Sequence, residues 1–333
     1  MKLKLGFGNV NKNLDAYLKR LMSNEGFDLE KYGKILHKVY KYANKIIESG
    51  DKYLLEREDI VFSKTITKEE TLRYVKDFLR KIDSSFVIKF EEALENGVFH
   101  FTDKDTLLEE NDLNYYYKNN LAGVVDDKYF TNIVMTYTIS DAFLILHEFM
   151  HYCNLLNLKE MTSGWAMFTE GYSNFFEFLF LEYCSEFEEI REDALNYFYS
   201  LLYSIVNRTS HFVSQYFVFD VFLCHGKIEY KKIYKYCSDY EDPIRLFYCI
   251  LGMIEEVDEY FSSFNPKLSE YLDDARYIIG IPFTLELLEN FETRKQEILE
   301  DYMILNSTNM DYYLDKYELE KHENYDKVFC LNK

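Results

Sequence analysis

A mainly α-helical fold with one small β-hairpin is what this sequence predicts, and three observations carry the prediction. Chain-breaking residues are scarce, with 3 Pro and 12 Gly in 333 residues, which favours long helices over a turn-rich sheet fold. Apolar side chains recur at three- and four-residue intervals through much of the chain, the period that gives a helix one apolar face. β-branched and aromatic residues run together in one stretch, between residues 121 and 137.

The first helix is carried by Tyr32, Ile35, Leu36, Val39, Tyr40, Ala43, Ile46 and Ile47, with Ser49-Gly50 read as its stop. Thr67-Lys68-Glu69-Glu70 has the form of a capping box, in which the first and fourth residues satisfy each other's backbone N–H. It opens a second helix with Leu72, Val75, Leu79 and Ile82 on one face. A third helix stacks Phe86, Phe90 and Leu94 and ends at Asn96-Gly97. Residues 121–125 and 129–137, separated by Asp126-Asp127-Lys128, read as a hairpin or sheet edge whose free edge could hold an extended peptide. Thr138-Ile139-Ser140-Asp141 then offers N-cap residues for the next helix, and another is expected from about Ser163-Gly164 to Cys184. Residues 244–260 and 283–303 read as amphipathic helices with Pro243 and Pro282 in their first turns. The expected organisation is an N-terminal helical segment over 1–60, a main domain over 61–303 and a charged, tyrosine-rich tail over 304–333.

The chemistry concentrates in His147-Glu148-Phe149-Met150-His151. Two histidines four apart on a helix project from one face and can grip one metal ion, while Glu148 is placed to take a proton from a water at that metal. With 7 histidines in the chain, chance produces this pattern in roughly one sequence in a hundred of such composition. A zinc site of this kind needs a third protein ligand and an open fourth position. Glu170, eighteen residues after His151 on the next predicted helix, is the candidate. Asn174 and Glu177 continue its polar line through an aromatic helix, and either could hold a histidine Nδ1–H from behind. His100, His225 and His322 lie in no supporting pattern.

Charge narrows the partners. The chain carries 58 Asp and Glu against 38 Lys and Arg, a formal net charge of −20, which argues against phosphate backbones and anionic membranes. No apolar run is long enough to span a bilayer and the start lacks a signal-peptide core, so a cytoplasmic location is expected. The six cysteines show no Cys-x-x-Cys spacing and read as buried free thiols.

Residues 129–138, Asp141, Leu146 and His147-Glu148-x-x-His151 resemble the segment leading into the zinc helix of the oligoendopeptidase F and thimet oligopeptidase family. Glu170-Gly171-Tyr172-Ser173-Asn174-Phe175-Phe176-Glu177 is similar to that family's third-ligand helix, and Tyr277-Ile278-Ile279-Gly280 stands in family order. The likeness covers roughly residues 60–290. It implies a zincin-like helical metallopeptidase fold, one Zn2+ per chain on His147, His151 and Glu170, Glu148 as general base, and a peptide as substrate. Relatives carry a histidine and tyrosines near a C-terminal helix to hold the oxyanion. Residues 269–277 contain no histidine here, so the resemblance leaves Tyr271 and Tyr277, with His211 from another helix, as the donors. Two departures are Met150 in place of the family's usual Gly and a shorter stretch between the ligand helices.

Two other readings fit the same residues. The spacing His-Glu-x-x-His, eighteen residues, Glu is also that of zinc aminopeptidases related to leukotriene A4 hydrolase, although their Gly-x-Met-Glu-Asn strand is not evident. A peptidase fold that binds but no longer turns over is the third.

Overall fold

The computed structural model describes residues 29–54, 61–103, 121–125, 128–155, 163–225, 230–237, 274–303 and 316–330. It is mainly helical with one small sheet, in the order α1 (Leu29–Leu54), α2 (Lys68–Ile82), α3 (Ser84–Glu95), β1 (Phe99–Asp103), β2 (Leu121–Val125), β3 (Lys128–Met135), α4 (Ile139–Leu155), α5 (Ser163–Cys184), α6 (Arg191–His225), α7 (Tyr230–Cys237), α8 (Ala275–Met303) and α9 (Asp326–Phe329). Among the described residues no helix is long and apolar enough to cross a membrane. The chain forms two compact units, one of residues 1–47 and 206–278 and one of residues 48–205 and 279–333.

In the second unit the capping box is formed as expected. Thr67 N donates to Glu70 Oε2 at 2.8 Å and Glu70 N to Thr67 Oγ1 at 3.2 Å, which starts α2. Its inward face is Thr71, Tyr74, Val75, Phe78 and Leu79, so Leu72 turns out half-buried, because aromatic contacts with α5 decide the face. Asp83 caps α3, and Gly97 adopts φ +68°, the left-handed turn that lets the chain leave the helix and enter β1. The hairpin is present, with β2 antiparallel to β3. β1, which sequence spacing did not reveal, pairs parallel to β3 on its other side, giving the order β1-β3-β2.

The turn from β3 into α4 is tied by Asp141. Its carboxylate accepts from the backbone N–H of Thr136 (3.0 Å) and Tyr137 (2.8 Å), and Tyr137 takes φ +57°. The helix carrying the histidines is therefore aimed by a side chain within its own first turn.

Two helix limits differ from the expected ones. α1 continues through Ser49-Gly50 to Leu54, because both residues are buried and packing outweighs the cost of a helical glycine. α8 begins at Ala275, so Pro282 lies inside it, and the helix bends where Arg294 takes φ −127°. α5 and α8 cross at Gly171 and Gly280: a Cβ at Gly171 would sit 3.2 Å from the Gly280 Cα, and Thr284 Oγ1 donates to the Gly171 carbonyl at 3.0 Å. The C-terminal residues 316–330 pack inward. Tyr317 and Tyr325 are fully buried, and Asp326 accepts from Lys52 and Ser49 of α1. The helix expected over 244–260 and the turn at 126–127 lie outside the described residues.

Candidate metal centre

The centre stands on α4 and α5, which pack side by side in the second unit. α4 is buried along Phe143, Leu146, Phe149 and Met150, and that apolar grip turns His147 and His151 to one side. α5 is buried nearly all round, with Phe168, Tyr172, Phe175 and Phe176 fully inside, so its polar residues are carried into the interior too. Glu170 is 3 % exposed and Glu177 is fully buried.

Three donor groups converge. His147 Nε2 and His151 Nε2 are 3.0 Å apart, Glu170 Oε2 is 3.5 Å from His147 Nε2, and Glu170 Oε1 is 3.8 Å from His151 Nε2. These three side chains form a group able to hold a metal ion. The histidine side chains are 16 % and 14 % exposed while Glu170 is buried, so the group is reached from the histidine side.

Behind His147, Nδ1 lies 3.1 Å from Glu177 Oε2. A carboxylate only accepts, so Nδ1 carries the hydrogen and the Nε2 lone pair of the neutral ring faces the other donors. Ser173 Oγ lies 3.5 Å from His151 Nδ1. Asn174, the alternative partner, lies instead against Gly280 of α8. Burial alone would push His147 down, but Glu177 and Glu170 outweigh it and hold the imidazole well above the usual histidine range. The pocket of carboxylates favours a cation at its centre, whether a proton or a metal.

Glu148 follows the first histidine. Burial raises its carboxyl above the ordinary range, although His147 opposes this. Tyr129, from β3, brings its hydroxyl to 3.4 Å from both Glu148 Oε2 and the Glu148 carbonyl oxygen. Burial pushes Tyr129 upward as well, so it stays a phenol and a donor. Tyr197, from α6, donates to the second oxygen of Glu177 at 2.8 Å. Neither tyrosine was legible in the sequence, since each reaches the site only through tertiary packing.

Of the other expected residues, His211 and Tyr277 belong to the first unit. In the first unit His211 Nδ1 pairs with Asp274 Oδ2 at 2.7 Å, Arg208 pairs with Asp274 Oδ1 at 3.2 Å, and the Arg208 guanidinium lies 4.3 Å from the centre of the Tyr277 ring. Arg276 donates to the Tyr277 hydroxyl at 3.2 Å. Tyr271 lies outside the described residues.

A second group of metal-ligating type, Glu286, Glu289 and His322, joins α8 to the C-terminal segment. Here the cations are built in. Lys321 Nζ lies 2.5 Å from Glu286 Oε2, and Lys327 Nζ lies 2.5 Å from Glu289 Oε1. His322 Nε2 shares Glu286 Oε2 at 3.0 Å. With its carboxylates already neutralised, this cluster reads as an ion-pair lock for the tail.

Compared with family models, curated proteins and solved structures, the chain matches none of them. The functional reading therefore rests on the geometry of the site.

Proposed function

We propose that the chain is a zinc-dependent peptidase with a zincin-like catalytic unit, cutting within peptides by general-base catalysis from Glu148. The observation that carries this reading is the convergence of His147, His151 and Glu170, with Glu148 beside them and Glu177 behind. Donor atoms held about 2.0–2.1 Å from a tetrahedral zinc lie about 3.3 Å from one another. The two imidazole nitrogens are 3.0 Å apart, and each has one Glu170 oxygen near it, Oε2 at 3.5 Å from His147 and Oε1 at 3.8 Å from His151, separations on either side of that value. Two imidazoles and one carboxylate are also the donor set that suits zinc and leaves a fourth position open.

When bound, zinc supplies a Lewis acid that polarises a carbonyl and acidifies water towards a pKa of about 7. The rest is done by side chains. Glu177 holds the His147 ring with its Nε2 lone pair inward. Tyr129 takes Glu148 Oε2, which leaves Oε1 to accept the proton of the attacking water and return it to the departing amine. The raised carboxyl suits this task, because a base with a pKa nearer neutrality can both take and release the proton. β3, the strand that leads into α4, pairs with β2 over residues 128–132 and with β1 over residues 131–135, so it is a central strand and not the free edge expected to hold an extended peptide.

The test is peptide cleavage by the zinc-loaded chain, followed by mass spectrometry on a mixed peptide library. Glu148→Gln is expected to keep the metal and to lose at least about a hundredfold in rate, the low end of what a positioned general base contributes. Unimpaired cleavage by Glu148→Gln would remove the mechanism, and no cleavage by the metal-loaded wild type would leave a binding protein.

A further inference from the structure

We propose that Tyr197 is a positioning residue for the metal centre, acting through Glu177 to fix the orientation and donor strength of His147; this rests on the metal-centre reading above. The three groups form a continuous chain. The Tyr197 hydroxyl donates to Glu177 Oε1 at 2.8 Å, and Glu177 Oε2 accepts from His147 Nδ1 at 3.1 Å. Each carboxylate oxygen thus has one dedicated donor. Glu177 is fully buried, so water cannot stand in for either one.

The phenol is also docked on the helix that bears the histidine. Its ring stacks on Phe143 with centroids 4.3 Å apart and planes 21° apart, and Phe143 lies one turn before His147 on α4. Phe143 is fully buried and packs in turn on Phe180, with ring centroids 4.8 Å apart. A plain phenyl ring would fill the same space. The hydroxyl is therefore there for its hydrogen bond, and Glu177 receives it.

Two consequences follow for the ligand. With Oε1 occupied, Glu177 cannot rotate to offer both oxygens elsewhere, so the imidazole plane is fixed. A neutral donor also draws charge from the carboxylate, which moderates how strongly it pulls on Nδ1–H and hence how electron-rich Nε2 becomes.

The experiment is a double-mutant cycle on the full chain, with Tyr197→Phe, Glu177→Gln and both together. Zinc affinity is read by competition with a chromophoric chelator, and the ligand field by the visible spectrum of the cobalt-loaded protein. Tyr74→Phe, which removes a hydroxyl bonded to Glu189 at 3.5 Å, is the control. Tyr197→Phe is expected to weaken zinc binding about tenfold to a hundredfold and to shift the cobalt band, with Tyr74→Phe doing neither. In the Glu177→Gln background the same change should lose most of its effect, because the residue it acts through is altered. An equal loss in both backgrounds would overturn the inference by showing that the hydroxyl acts through packing. Wild-type affinity and spectrum in Tyr197→Phe would overturn it while leaving the metal centre intact. Absence of metal binding by the wild type would instead remove the centre itself, and the inference with it.

Discussion

Gly171→Ala tests the way the ligand helix is seated. Gly171 follows Glu170 directly and lies where α5 and α8 cross. A Cβ there would meet Phe283 Cδ1 at 2.5 Å, the Gly280 Cα at 3.2 Å and the Gly280 carbonyl oxygen at 3.3 Å. None of these can yield easily. Two are backbone, and the Phe283 ring is fully buried, wedged edge-on against Phe168, Tyr172 and Tyr317 with centroids 5.2, 4.8 and 4.8 Å away. Overpacking of this kind costs about 1–3 kcal/mol. Alanine recovers about 1 kcal/mol of helix propensity over glycine. The larger figures apply to a contact this short, so a net loss of about 1–2 kcal/mol is expected, or roughly 1–3 °C in Tm for a chain of this size. Differential scanning calorimetry of the metal-free protein measures it, and zinc affinity should fall in parallel because the displaced residue adjoins a ligand. An unchanged or raised Tm would refute the close crossing.

Tyr317→Ala should cost about 3–5 kcal/mol in urea unfolding, since its ring is fully buried on Phe283 and its hydroxyl lies 3.4 Å from that of Tyr172; a loss below about 1 kcal/mol would mean the C-terminal segment does not pack as described. Glu297, bonded first to Arg294 and then to Lys316, is held down at about 2, below its ordinary 4.5. Its contribution is therefore present above about pH 4.5 and lost as pH falls towards 2. Because the side chain is 47 % exposed, Glu297→Gln should lower stability by no more than about 1 kcal/mol at pH 7 and by almost nothing near pH 2, as Tm against pH would reveal. Acetylating the amino terminus of a substrate peptide should leave its cleavage rate unchanged, whereas complete protection would point to an aminopeptidase.

What the sequence disclosed was local. The Thr67–Glu70 box, the limits of α5 and the i, i+4 pairing of His147 and His151 depend on residues within one or two turns of each other. Glu170 was reachable because α5 is the very next helix. β1 was missed because five residues give little periodicity and its partner β3 lies some thirty positions on. Gly50 and Pro282 misled for one reason: both are buried, and tertiary packing carried the helix past a residue that would end it in isolation. Tyr129 and Tyr197 were invisible among 31 tyrosines, since only the folded chain says which phenols meet Glu148 and Glu177. The Glu286–His322 cluster was hidden likewise, its members being 36 residues apart.

Metal stoichiometry by inductively coupled plasma mass spectrometry tests the central claim most directly, comparing wild type, Glu170→Ala and His322→Ala after zinc loading and desalting. One zinc per chain in wild type and in His322→Ala, with clear loss in Glu170→Ala, is the predicted result. No bound metal in wild type, or loss in His322→Ala with Glu170→Ala unaffected, would contradict the assignment of His147, His151 and Glu170 as the metal centre.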